Sequence, residues 1–134
     1  MEFETKEFTI RFLDERIIIM KQKERVSRMT KEGAIECTEK MSELCNSNAN
    51  SKAIISYIES LYIKKDVLKV FSEHPTHKDV YATAMISTSF IAKNMASIVL
   101  KMRARFAPDD IPMQIFNTEA AAIKWVYSIL DSTP

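Results

Sequence analysis

The residues able to do chemistry are few, and their spacing narrows what they can do. His74 and His77 are the only histidines, three apart, with Glu73 and Asp79 close in sequence. Such a set carries the right atoms for zinc. Catalytic zinc sites, however, usually draw their ligands from rigid, separated elements, whereas this cluster sits where a helix ends. The plainer reading is a polar loop, and no metal is expected. Cys37 and Cys45 are the only cysteines. On one helix they stand roughly 12 Å apart along the axis, beyond disulfide reach. They read as reduced, semi-buried thiols, which suits a cytosolic protein. A Cys–His nucleophilic pair needs a thiol brought to His74 or His77, and cysteines in mid-helix and at a helix end argue against it. Gly33 is the single glycine. Walker and Rossmann phosphate loops need two or three, and a serine elbow needs flanking glycines, so all three are excluded. Acidic residues fall in turns or on helix faces, where pairs such as Glu36 and Lys40 give i,i+4 support. General acids and bases do not converge. An enzyme is therefore the lowest-ranked reading, and no cofactor is expected.

Stepping from residues to totals, 134 residues with 46% apolar content fit one domain, 1–134, with a real core. The net charge of +1 gives no global field for nucleic acid or an anionic membrane. Lys21, Lys23, Arg25, Arg28 and Lys31 are locally basic, but Glu24 interrupts them and no aromatics interleave for base stacking. They read as a solvated connection, and no nucleic-acid partner is expected. No run of about 18 apolar residues exists, so no membrane span is expected. The N-terminus is acidic and lacks a signal-sequence pattern, which points to a cytoplasmic location.

The elements that would position these groups follow from periodicity. Residues 7–13 alternate, with Phe8, Ile10 and Phe12 on one side, and 16–22 form a second strand, apolar on both faces. The two read as a hairpin. Thr30 caps a first helix with Ile35, Thr38, Met41, Leu44 and Cys45 as its stripe, closed by the Asn/Ser-rich 46–51. A strand over 52–58, a helix over 62–72 and a strand over 79–86 follow. Ser87-Thr88-Ser89 then opens a helix over 90–106 with an apolar stripe of Ile91, Met95, Ile98 and Met102. Residues 113–116 are the last strand and 120–130, with Trp125, the last helix, started by Asn117-Thr118. The order β-β-α-β-α-β-α-β-α predicts an α/β fold: a five-stranded, mostly parallel sheet with an N-terminal hairpin and strands two to five parallel. Ala82 and Ala84 suit close helix packing on one face of the fourth strand. Tyr81 and Met85 mark the other face as less covered and open to self-association as a homodimer.

In such sheets ligands bind beyond the carboxyl ends of the strands. That rim holds Ser60, Tyr62, Lys64 and Lys65 after the third strand, and Ser87, Thr88, Ser89 and Phe90 after the fourth, with Asn117 and Thr118 after the fifth. Hydroxyls there serve first as helix caps, and a partner or ligand site is the sharper hypothesis.

The segments Asp79-Val-Tyr-Ala-Thr-Ala-Met-Ile-Ser-Thr-Ser and Pro112-Met-Gln-Ile-Phe-Asn-Thr-Glu-Ala-Ala-Ala-Ile-Lys-Trp-Val resemble small bacterial STAS-like, SpoIIAA-like proteins. These relate to anti-sigma-factor antagonists and close on a phrase that Pro112, Phe116, Thr118, Ala122, Trp125 and Val126 fit. The resemblance implies a cytosolic regulatory interaction domain, helices mainly on one face of a single sheet, a protein partner and no cofactor. The antagonists' Asp-Ser phosphorylation pair is absent, its place held by Lys64-Lys65 or Ser60-Leu61-Tyr62, and Ser56 stands where a third-strand aspartate often occurs. The alternative is a small apolar-ligand or lipid carrier, since similar βα arrangements serve lipid transfer.

Overall fold

The computed structural model describes residues 2–59, 62–75, 77–106 and 111–132. Its elements run β1 (Glu2–Glu4), β2 (Phe8–Asp14), β3 (Ile17–Gln22), α1 (Lys31–Cys45), β4 (Lys52–Tyr57), α2 (Lys65–Glu73), β5 (Val80–Ile86), α3 (Phe90–Phe106), β6 (Met113–Phe116) and α4 (Glu119–Asp131). One six-stranded sheet has the order β1-β2-β3-β4-β5-β6. The first three strands pair antiparallel and β3 to β6 pair parallel, so the sheet is mixed. The expected five strands become six because Glu-Phe-Glu, too short to show alternation, adds an edge strand to β2. A turn closes that pair: Thr5 N–H donates to Phe8 O at 2.9 Å, and Phe8 N–H donates to the Thr5 hydroxyl at 3.1 Å.

The hairpin lacking an Asn-Gly turn is built by Asp14. Its Oδ1 accepts from the N–H groups of Arg16 (2.7 Å) and Ile17 (3.1 Å), an Asx turn with a register shift between Phe12 and Asp14. Strand order then increases steadily from β3 to β6. Connections of one hand put α1, α2 and α3 on the same face, and α4, which closes no crossover, takes the other.

Each face has its own core. Phe8, Ile10, Ile18, Met20 and Ile54 pack with Cys37, Met41 and Leu44 of α1. Ile17, Ile19, Ala53, Ile55, Ala82, Ala84 and Ile86 pack with Ala122, Val126 and Leu130 of α4. One expectation is corrected here: Met85 is buried, facing the three-helix side rather than solvent, whereas helix packing on the alanine face is as expected and is supplied by α4. Only Tyr81 stays exposed, as the extra residue of a bulge in which Lys52 pairs with Val80 and Ala53 with Ala82. On α3 the buried face is Ala92, Met95 and Ala96, while Ile91 and Ile98 are exposed. Ala92 and Ala96 let α3 approach its neighbours closely, Met95 is buried beside them, and Ile91 and Ile98 point outward.

Candidate functional site

The predicted rim forms at the carboxyl ends of β4 and β5. Ser60 lies outside the described residues. Ile63 is buried among Val67, Leu68 and Met95 and pins the connection, leaving Tyr62 beside it 73% exposed. Lys64 occupies the cap position of α2 without any side-chain cap bond, and Lys65 is the first helical residue; both are exposed. Cations at the positive end of a helix dipole are unfavourable by about 0.3–1 kcal/mol each. Asp66 supplies the first turn's anion, and its Oδ1 accepts from the Val67 N–H at 2.8 Å.

After β5 the hydroxyls divide. Ser87 is buried; its N–H donates to Phe116 O at 3.0 Å and extends the β5–β6 ladder. Ser89 is the cap of α3, its Oγ accepting from the Ala92 N–H at 3.0 Å. Thr88 is exposed, and Phe90 is 83% exposed with Ile91 at 56% beside it. Of the eight predicted residues, Tyr62, Lys64, Lys65, Thr88 and Phe90 therefore present side chains to solvent. Ser87 serves the sheet and Ser89 the helix. At the third strand end, the Thr118 hydroxyl caps α4 by accepting from Ala121 N–H at 3.2 Å.

Beneath the rim, between the sheet and α1, α2 and α3, lies a mostly apolar cavity of about 140 Å³. Its floor is Ile54, Ser56, Thr83 and Met85, with Met41 and Phe71 among its walls. Ile54 pairs with Thr83 and Ser56 with Met85 across the β4–β5 ladder, which sets all four on one face. The resemblance marked Ser56 as the place of a third-strand aspartate but not as a cavity residue, and no pattern marked Thr83. What could have found them is a hydroxyl at an inward position of a buried strand.

Near one end of the cavity, His74 and His77 stack with ring centroids 4.6 Å apart. The Ser42 hydroxyl and His77 Nδ1 lie 3.0 Å apart, and His74 Nδ1 lies 2.7 Å from Pro75 O. Burial, reinforced by His74 and Arg103, pushes His77 down to about 4, so it is neutral near pH 7. Arg103 of α3 closes the end of α2, donating to the carbonyls of Phe71 and Ser72 at 3.4 Å and to that of His74. Among the described residues no group of three or more metal-ligating side chains forms. The cysteines are both free and buried. Burial raises the Cys37 thiol strongly and Cys45 to about 11, the latter partly relieved by Lys52, so neither carries thiolate at neutral pH. Among the described residues no helix is long and apolar enough to cross a membrane.

Comparison with known proteins adds one finding. Residues 11–130 match the family described as a domain of unknown function, DUF7793. The chain belongs to this family. The match starts within β2 and ends one residue before the end of α4, so it takes in the rim, the core under α4 and, apart from Phe8 and Ile10 of β2, the other core and the cavity. Neither the curated proteins nor the solved structures contain a match.

Proposed function

We propose that this DUF7793 chain is a non-enzymatic regulatory domain of STAS-like type that docks a protein partner on the rim where β4 and β5 end. The observation that carries the reading is the exposure of Phe90, the first residue of α3, at 83% and of Tyr62, before α2, at 73%, each following one of two adjacent strands. Large aromatics left in water at a strand-end rim are an interaction signal, where singly scattered ones are not. Lys64, Lys65 and Lys93 lie close to them in sequence and outnumber the similarly placed Glu59 and Asp66. The partner surface that complements this is apolar with acidic flanks.

The STAS-like element of the proposal draws support from the leading hairpin, the parallel run after it and three helices on one face, together with the closing phrase from Pro112 to Val126. Because Lys64-Lys65 stands where the antagonists carry Asp-Ser, the docking is not switched by phosphorylation at that place. A cytoplasmic location belongs to the same reading. A homodimer, if formed, uses the outer stripe of α3, since α4 covers the sheet face.

Affinity capture with the wild-type chain, followed by titration of the purified captured protein, tests this. The expected result is at least a tenfold loss of affinity for Phe90→Ser and for Lys64→Glu/Lys65→Glu, with wild-type binding weakened by added salt. Equal affinity for all three chains contradicts the docking surface.

A further inference from the structure

We infer that the cavity between the sheet and α1–α3 binds a small neutral molecule with an apolar body of about benzene's size and one hydrogen-bonding group. The proposal does not depend on the docking reading, because the cavity lies under the helices while the rim side chains point into water.

Three observations carry it. The first is size. Protein interiors pack at crystal-like density with few voids larger than a water, so about 140 Å³ is conspicuous in a chain this small. An apolar cavity of roughly 150 Å³ suffices to take up benzene. The second is the wall. Met20, Met41 and Met85 lie on it with Phe8, Leu68 and Phe71. Unbranched thioether chains adapt to a ligand's outline and make favourable contacts with rings. The third is the floor. Ser56 is only 8% exposed and lines the cavity, yet its hydroxyl has no hydrogen-bond partner among the described residues. Thr83 lies on the same face across the β4–β5 ladder, and its hydroxyl likewise has no partner among the described residues. Among the described residues the one fully enclosed side-chain atom without a partner is Ser72 Oγ, so the Ser56 hydroxyl and that of half-buried Thr83 are open to the cavity with hydrogen-bonding capacity to spare, and they mark where a ligand's polar atom would sit.

The same floor excludes charge. Ile54, Ser56, Thr83 and Met85 provide no counter-ion, and an unpaired ion buried there is strongly unfavourable. The charged and titratable groups on the lining are Tyr57, Glu59, His74, His77 and Arg103; all belong to the connections and element ends, the Tyr57 hydroxyl donates to Glu119, and Arg103 donates to the carbonyls that end α2. Phenol has the required shape and polarity. Benzene has the shape alone.

The experiment titrates phenol and benzene into protein carrying methyl-labelled methionine and follows each methyl by NMR. Met20, Met41 and Met85 should shift saturably with both probes, and clearly more than Met95, which is not on the lining although it packs with Ile63 and Leu68, which are. The variant Ser56→Ala/Thr83→Val, nearly isosteric, should weaken phenol about three- to tenfold and leave benzene unchanged, the ratio expected for one net hydrogen bond. No shift in wild type at saturating probe overturns the site. Equal shifts at Met95 show non-specific uptake and do the same. If the double variant does not fold, Thr83→Val alone replaces it, and undiminished phenol binding by whichever variant folds overturns the role of the hydroxyl floor. Loss of partner affinity in Phe90→Ser with phenol binding intact, or the reverse, separates this proposal from the docking one.

Discussion

At the residue scale, the only glycine has a specific reason to be there. The Glu7 carboxylate accepts from the Thr30 N–H at 2.8 Å and from the Thr30 hydroxyl at 2.5 Å, while Thr30 Oγ1 accepts from the Gly33 N–H at 3.0 Å. A Cβ on Gly33 would fall on the Glu7 carboxylate. Alanine is worth about 1 kcal/mol over glycine inside a helix, but here it displaces a buried, doubly bonded acid. Gly33→Ala should therefore destabilise by about 1–2 kcal/mol in urea unfolding, and in a Glu7→Ala background the same change should be neutral or stabilising. Additive effects of the two substitutions would show that they do not meet. His77 supplies a pH dependence. Its folded value, about 4, lies below the ordinary 6.5, so between those values the unfolded chain binds more protons. Its contribution is present above about pH 6.5 and is lost as pH falls toward 4. The thermal midpoint should drop over that window, and His77→Gln should flatten the drop; an equally steep fall in the variant assigns it to other groups. Sequence reading saw the pair as a helix-ending loop but not the burial of His77. It also missed Lys52, fully buried with its ammonium on the carbonyls of Asn48 (2.9 Å) and Asn50 (2.8 Å), because a lysine at a strand start looks like a solvent residue.

At the element scale, boundaries were legible where a cap and a periodic run coincide. Thr30 and Thr118 cap as read, and α3 and β6 have their expected limits. The second helix starts at Lys65 rather than 62, because Ile63 is used as a plug and no capping side chain stands before it. Facing was less legible than extent. Of the stripe read on α3, Met95 is buried and Met102 packs against the same cluster, whereas Ile91 and Ile98 are left out and Ala92 and Ala96, both almost fully buried, take their place. Ile98→Ser should change stability by less than about 0.5 kcal/mol, whereas Ala96→Leu should cost about 1–3 kcal/mol by overpacking. Circular dichroism melts of the two variants check this, and the reverse ranking would restore the large-residue stripe. The last helix is held by side chains that no periodicity announces. Tyr57 donates its hydroxyl to Glu119 at 2.7 Å, Arg11 donates to the same carboxylate at 3.2 Å, and the Tyr127 hydroxyl donates to Asp14. These pairs lie 62 to 113 residues apart in sequence, which is why only the fold reveals them.

At the scale of the whole molecule, strand order and helix placement divide the work. A sheet that always steps the same way collects α1, α2 and α3 on one face, and their packing against Ile54, Ser56, Thr83 and Met85 leaves the cavity. Among the described residues the opposite face is covered by α4, with Ile17, Ile19, Ile55 and Ile86 beside Ala53, Ala82 and Ala84 on the sheet and Ala122, Val126 and Leu130 on the helix. Trp125 flanks that contact, 5.4 Å from Phe116, rather than forming its centre. Among the described residues, the exposed large hydrophobics Tyr62, Phe90, Ile91 and Ile98 lie at the ends of β4 and β5 or on α3, while Leu13, Ile35 and Tyr81 lie elsewhere, and the first group is the proposed docking surface. Hydrogen–deuterium exchange of the complex with the captured partner locates that surface most directly. Protection is predicted over residues 62–65 and 87–93. Protection confined to α4 and the β1–β3 edge, with the rim exchanging as in the free chain, would contradict the account.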